Sequence, residues 1–279
     1  MVNGWQSRTI AVSGGHLAYH RTGGTGPAML LSHGLTDNGL CWSRVAMALE
    51  ADYDIVMLDA RGHGESSRLA SGEAHDPGRD IAEVIDNLGL KSPIVMGHSI
   101  GALATAAFAA DYPQLAAKVI LEDPPFLKAV DQSAGLARQH KFRRQVARFQ
   151  TMSDAEITDM GRQLSPDWHI DEFPAWTLGK WQVDPQAMPL QFPPWQPSIE
   201  KISAPTLLIY GEPARGGLVT PDVAAEVMRI NPSIKAVQIP GAGHNIRREN
   251  FDDFVSAVRE FLNENNENMT IGEKPLGND

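Results

Sequence analysis

The sequence predicts an α/β fold: a mostly parallel, doubly wound sheet with an inserted, mainly helical lid. Three observations carry this. Short apolar runs alternate with segments of helical period through the first half of the chain, the pattern of parallel strands joined by crossover helices. The alternation stops between Pro124 and Pro197 and then resumes. At 279 residues, 42% of them hydrophobic, the chain reaches the size at which a single core stops growing, so one domain with an insertion fits better than two equal domains.

The elements follow in order. Strands are expected at Ala28–Ser32, Ile55–Asp59, Ile94–Gly97 and Val119–Leu121, each a short apolar run. Between them, Trp42–Leu49 and Asp80–Leu90 place apolar residues three and four apart, and Ala102–Ala110 is rich in alanine, so each reads as a helix. From Pro124 to Pro197 nine prolines, four tryptophans and a set of arginines replace this rhythm. Order returns at Thr206–Tyr210 and Ala236–Ile239, both β-like, followed by an amphipathic Phe251–Leu262. The expected organisation is a core of 1–123 and 198–262, a lid of 124–197, and a tail of 263–279. The tail is rich in Asn, Glu and Gly, cannot bury enough apolar surface to offset the entropy of ordering, and is expected to be disordered. No repeat of fixed period is visible, which removes solenoids and propellers.

Composition narrows the function. A net charge of −10 argues against nucleic acid as a partner, since phosphate binding needs a surplus of Lys and Arg. The single cysteine, Cys41, excludes an internal disulfide and a Cys-rich metal site. Met1–Thr9 lacks a basic start followed by a long apolar run, and no apolar stretch is long enough for a bilayer, so a cytoplasmic protein without a membrane partner is expected. Composition is silent on oligomeric state.

The chemistry starts at Gly97-His98-Ser99-Ile100-Gly101, which lies between the Ile94–Gly97 run and a helix-forming segment. A G-x-S-x-G turn in that context lifts a serine hydroxyl above the sheet edge, with the glycines permitting a strained turn and close helix approach. A hydroxyl needs a base at neutral pH. His244, in Pro240-Gly-Ala-Gly-His244 after the last expected strand, is placed to swing an imidazole over Ser99. The other histidines read as turn or surface residues; His63, in Asp59-Ala-Arg-Gly-His-Gly64, reads as part of a structural turn.

Taken together, His33-Gly34, Asp59-Ala-Arg-Gly-His-Gly-Glu-Ser66, Gly97-His-Ser-Ile-Gly101 and Gly241-Ala-Gly-His244 resemble the α/β-hydrolase superfamily over about Ala28 to Leu262. The resemblance implies an oxyanion hole built from the backbone N–H groups of Leu35 and Ile100. It also shows a departure. Most similar enzymes carry Gly-x-x-Asp after the strand corresponding to Thr206–Tyr210, and this chain has Gly211-Glu212-Pro213-Ala214 there. Some dehalogenases, lactonases and cofactor-free dioxygenases place the acid one strand earlier, where Val119-Ile-Leu-Glu-Asp123 offers it. Asp123 is the acid chosen on that resemblance. Glu122 is the near alternative, because a shift of one residue at a strand end reverses the face; Glu212 is third and Asp222 fourth, the latter a first-turn acid of a helix after Pro221.

The expected activity is hydrolysis of a small to medium, partly apolar carboxylic ester through an acyl-enzyme, with lactone, amide or other C–N cleavage as alternatives on the same triad. A cofactor-free dioxygenase and a non-catalytic ligand-binding protein of this fold are the remaining readings. Serine at position 99 argues against haloalkane dehalogenase and epoxide hydrolase chemistry, which need a carboxylate nucleophile. With no metal-ligand cluster or phosphate-loop fingerprint, no metal or organic cofactor is expected. Most lid aromatics are expected to form the lid's own core, with Trp168, Trp176 and Trp181 as substrate contacts. The basic run Arg138, Lys141, Arg143, Arg144 and Arg148 reads as a solvated helix face, or else as an attractant for a carboxylate-bearing substrate.

Overall fold

A computed structural model describes residues 4–69, 75–128 and 130–264. Its sheet has eight strands in the order β1-β2-β4-β3-β5-β6-β7-β8. Six of them, β3 (Ala28–Ser32), β4 (Asp54–Leu58), β5 (Ile94–His98), β6 (Lys118–Glu122), β7 (Thr206–Tyr210) and β8 (Ile234–Gln238), run parallel. β1 (Gln6–Val12) and β2 (Gly15–Arg21) form an antiparallel hairpin that joins the edge of β4. The hairpin has no counterpart in the sequence reading because β1 is mostly exposed and carries no apolar run.

The central strands are continuous apolar runs because both sheet faces are covered. Successive side chains alternate between the two cores. Leu30, Val56 and Val95 pack toward α2 (Pro77–Asn87) and α3 (Ile100–Asp111), while Met29, Leu31, Ile55 and Met57 pack toward α1 (Ser43–Leu49) on the opposite face. That second face also receives Phe254, Val258 and Phe261 from the helix Phe251–Asn263.

Between β6 and β7 lie α4 (Gln132–Phe149), α5 (Asp154–Leu164), α6 (Phe173–Gln182) and α7 (Gln196–Lys201), with no strand among the described residues. α5 starts on a reciprocal cap, in which the Ser153 hydroxyl and the Glu156 carboxylate each bond the other's backbone N–H. Phe149, Ile157, Phe173 and Trp176 form a small core of this segment. Trp195 does not join it: the ring stacks on Phe126 at 4.9 Å and belongs to the main core, so the packing of the sheet begins before residue 197. Beyond β7 come α8 (Pro221–Ile230), α9 (Ile246–Glu249) and α10 (Phe251–Asn263). Asn263 closes α10, and the tail after Glu264 lies outside the described residues. None of the described helices is long and apolar enough to cross a membrane.

Candidate active site

β5 delivers Ser99 at the carboxyl edge of the sheet. The turn into α3 puts Ser99 at φ 55° and ψ −123°, a conformation that costs a non-glycine residue roughly 1–3 kcal/mol and persists only where the surroundings over-determine it. Here the Ser99 N–H donates to the carbonyl of Glu122 at 2.9 Å. The flanking glycines are steric requirements: a Cβ on Gly97 would lie 2.4 Å from the carbonyl oxygen of Gly101, and one on Gly101 would lie 2.5 Å from those of Ser32 and His33.

His244 sits on the loop between β8 and α9. Its Nε2 accepts from the Ser99 hydroxyl at 3.0 Å and its Nδ1–H donates to Asp123 Oδ2 at 2.6 Å. That tautomer leaves Nε2 free to take the serine proton. Asp123 has no exposed surface. A positive φ of 42° turns its carboxylate off the end of β6, where it also accepts from the N–H groups of Leu218 at 2.8 Å and Val219 at 3.0 Å. Three donors on one carboxylate hold its plane.

The alternative acids lie elsewhere. Glu122, one residue back, faces away and binds Arg247. Glu212 accepts from Gly241 N–H at 2.9 Å and pairs with Arg215 at 3.2 Å. Asp222 stands exposed in the first turn of α8.

Ile100 is the first residue of α3, so its N–H has no partner within the helix. Leu35 follows β3, and the two residues line one cavity with Ser99 and His244. The cavity has a volume of about 640 Å³. Trp168 and Trp176 line it, and Trp181, expected as a substrate contact, does not. Trp176 and Lys180 take the inward face of α6, and position 181 lies about 100° further round the helix, toward solvent; Trp181 is 36% exposed. The basic run of α4 divides. Arg138 and Arg148 line the cavity, while Lys141, Arg143 and Arg144 are exposed.

Two features had no place in the sequence reading. His98 Nε2–H donates to the carbonyl of His244 at 3.0 Å, and its Nδ1 is buried without a partner. Burial, with the positive charge of Arg247 behind it, holds this ring well below the usual histidine range, so it stays neutral and its bare Nδ1 needs no acceptor. A buried ion network of Asp37, Glu122, Glu172, Lys180, Arg247 and Arg248, each no more than 5% exposed, adjoins the site, and Asp37, Lys180 and Arg248 of it line the cavity. The adjacent Arg247-Arg248 just after His244 was the available signal. Paired arginines normally read as surface residues, and only their burial reveals the network. No cluster of metal-ligating side chains is found among the described residues.

A family model described as the alpha/beta hydrolase fold matches residues 27–250. The chain belongs to the α/β-hydrolase family. A 2-(acetamidomethylene)succinate hydrolase of Mesorhizobium japonicum is 27% identical, with 87% of this chain and 90% of the relative aligned. An N-formylmaleamate deformylase of Pseudomonas putida is 26% identical, covering 91% and 95%. Among solved structures, an E-2-(acetamidomethylene)succinate hydrolase matches this α/β-hydrolase with a TM-score of 0.75 at 22% identity, over 93% of this chain and 99% of the other. Its homologues are hydrolases, which supports hydrolysis as the activity of this family member.

Proposed function

We propose that this α/β-hydrolase cleaves a small to medium, partly apolar carboxylic ester through an acyl-enzyme on Ser99. The observation that carries the reading is the continuous chain from Ser99 Oγ through both nitrogens of His244 to Asp123, with links of 3.0 and 2.6 Å, at the wall of a 640 Å³ cavity. Ser99 Oγ attacks the carbonyl carbon as His244 Nε2 takes its proton, and Asp123 holds the resulting imidazolium. The N–H groups of Leu35 and Ile100 face the developing oxyanion. His244 then returns the proton to the departing alcohol. Water, deprotonated by the same imidazole, attacks the acyl carbon, and the acid is released as the imidazolium returns that proton to Ser99 Oγ. The helices between β6 and β7 act as a lid whose aromatic side chains, Trp168 and Trp176, surround the apolar part of the substrate.

A second reading is favoured by a specific observation: the bond cleaved is an amide in a small carboxylate-bearing acid. The two relatives act, by name, on an acetamido-substituted succinate and an N-formylated maleamate, and Arg138 and Arg148 bring positive charge to the cavity wall.

The test is turnover of a panel of p-nitrophenyl esters, lactones and N-acyl amino-dicarboxylates by the purified protein, with intact-mass detection of an acyl adduct on Ser99. Ester turnover with an adduct supports the first reading, and preference for the anionic amides moves the assignment to the second. Binding without turnover or adduct overturns both in favour of a ligand-binding protein.

A further inference from the structure

The three active-site loops are tied together one layer beneath the reacting groups. Arg247, three residues after His244, donates its backbone N–H to Glu122 Oε1 and its Nη1–H to Oε2, both at 3.0 Å. Glu122 is the residue before Asp123. The same guanidinium reaches Asp37 Oδ2 at 3.3 Å through Nη2, and Asp37 lies two residues after Leu35. Its flat face lies 4.2 Å from the Trp42 ring centroid. One arginine therefore connects the chain neighbours of the acid, the base and the oxyanion loop.

We propose that Arg247, bridging Glu122 and Asp37, is a positioning residue that holds His244 in register with Asp123 and Leu35; the proposal rests on the serine-hydrolase reading above. Stability alone does not account for such a bridge. Buried ion pairs commonly contribute no more than apolar side chains of the same volume, because desolvation offsets their attraction. What a planar guanidinium held between two carboxylates supplies is fixed direction. The need for it is visible in the fold: His244 rides on an irregular loop, and a displacement of about 1 Å in a reacting group costs about 100-fold in rate.

The charges are balanced. Burial pushes the Asp37 carboxyl up, and Arg248, Lys180 and Arg247 outweigh it, leaving Asp37 well below the usual carboxylate range. At Glu122 burial prevails over Arg247, and its carboxyl is raised. Arg248 continues the bridge to Glu172 at 3.1 Å, and Lys180 reaches Asp37 at 3.5 Å. The titratable and charged groups around His244 are Asp123, which it hydrogen-bonds, and His98, whose ring centroid lies 4.8 Å from its own, then Glu122, Arg247, Arg248 and Asp37, with Lys180 and Glu172 from the β6–β7 segment and Arg138 and Arg148 on the cavity wall.

The experiment uses the full chain and a fluorophosphonate, which labels an activated serine whatever the natural substrate. The rate of labelling of Ser99 is followed against pH for wild type, Glu122→Gln, Arg247→Met and the double variant, with melting temperature measured for each. Glu122→Gln is expected to lower the maximal labelling rate about 10- to 100-fold while probe affinity changes less than about twofold. Its acid limb moves to lower pH, because an uncompensated Arg247 disfavours the imidazolium. Arg247→Met slows labelling as well and moves the limb to higher pH. The double variant restores the wild-type limb but not the rate. Where Arg247→Met fails to fold, Arg247→Lys keeps the charge and loses the two-armed geometry, so a slower rate with an unmoved limb is expected. Folded variants that label at the wild-type rate overturn the positioning role alone, as does a charge-removing single variant, Glu122→Gln or Arg247→Met, that melts earlier with its acid limb unmoved. A wild-type protein that is not labelled on Ser99 overturns the serine-hydrolase reading instead.

Discussion

The carboxyl ends of β6 and β7 are neighbours in the sheet, each followed within a few residues by an acidic side chain, yet only β6 brings a carboxylate to His244. At β6, Asp123 takes a left-handed backbone conformation, and its N–H is held by the carbonyl of Ile209 at 2.8 Å. The side chain then points into the site and collects its donors there. At β7, Glu212 enters a short 3-10 turn, Pro213–Arg215, and its carboxylate is taken up by Gly241 N–H and Arg215. The difference teaches that the place of the acid is decided by which strand end can turn a side chain back over the sheet edge. The number of acidic residues nearby does not decide it.

Four measurements put this difference between the two strand ends to the test. Ser99→Ala is expected to lower kcat by about 10⁶ with an unchanged melting temperature, which sets the floor against which either acid is judged; retained turnover moves the nucleophile elsewhere. Asp123→Asn should cost about 10⁴ in kcat, the scale associated with loss of a triad acid, and steady-state kinetics on the best ester of the panel decide it. A loss of tenfold or less would reopen the end of β7.

The third measurement fixes the pH range in which such variants can be compared at all. Burial lowers His33 to about 4, and burial together with His33 lowers His63 to about 3. Below pH 6.5 the unfolded chain binds protons at these two rings that the folded chain refuses, so stability is complete above 6.5 and declines as the pH falls toward 4 and 3. Each ring contributes a slope of up to about 1.4 kcal/mol per pH unit. Calorimetric melting temperatures should fall through this window, and a flat profile would show that the rings are not buried neutral. The smallest effect is expected at the other strand end. Glu212→Gln should leave kcat and KM within about twofold of wild type, since its carboxylate touches only a surface turn. A large loss of kcat there would reverse the comparison.

Much of the fold was legible because the signals are local. β3 and β7 run over Ala28–Ser32 and Thr206–Tyr210 as expected, and the other core strands shift by one or two residues. Runs buried on both faces announce themselves without partners. The β1–β2 hairpin was missed for the converse reason, since an exposed edge needs no apolar pattern. Among side chains, His244 stands within hydrogen-bonding reach of both Ser99 and Asp123. Trp181 does not reach the cavity, and the arginines of α4 split between cavity and solvent. Spacing along a helix assigns residues to faces but does not say which face meets the sheet.

Sequence alone determined the α/β alternation and the glycine-bounded turn around Ser99, because both follow from contacts a few residues apart and from what a Cβ forbids. Tertiary structure alone decided that Asp123 meets an imidazole 121 positions away while Glu122 meets Arg247. It also decided that six charged side chains lie buried together. Those outcomes depend on where strand ends and loops converge in space, and charge neutralisation by distant partners is what permits such burial.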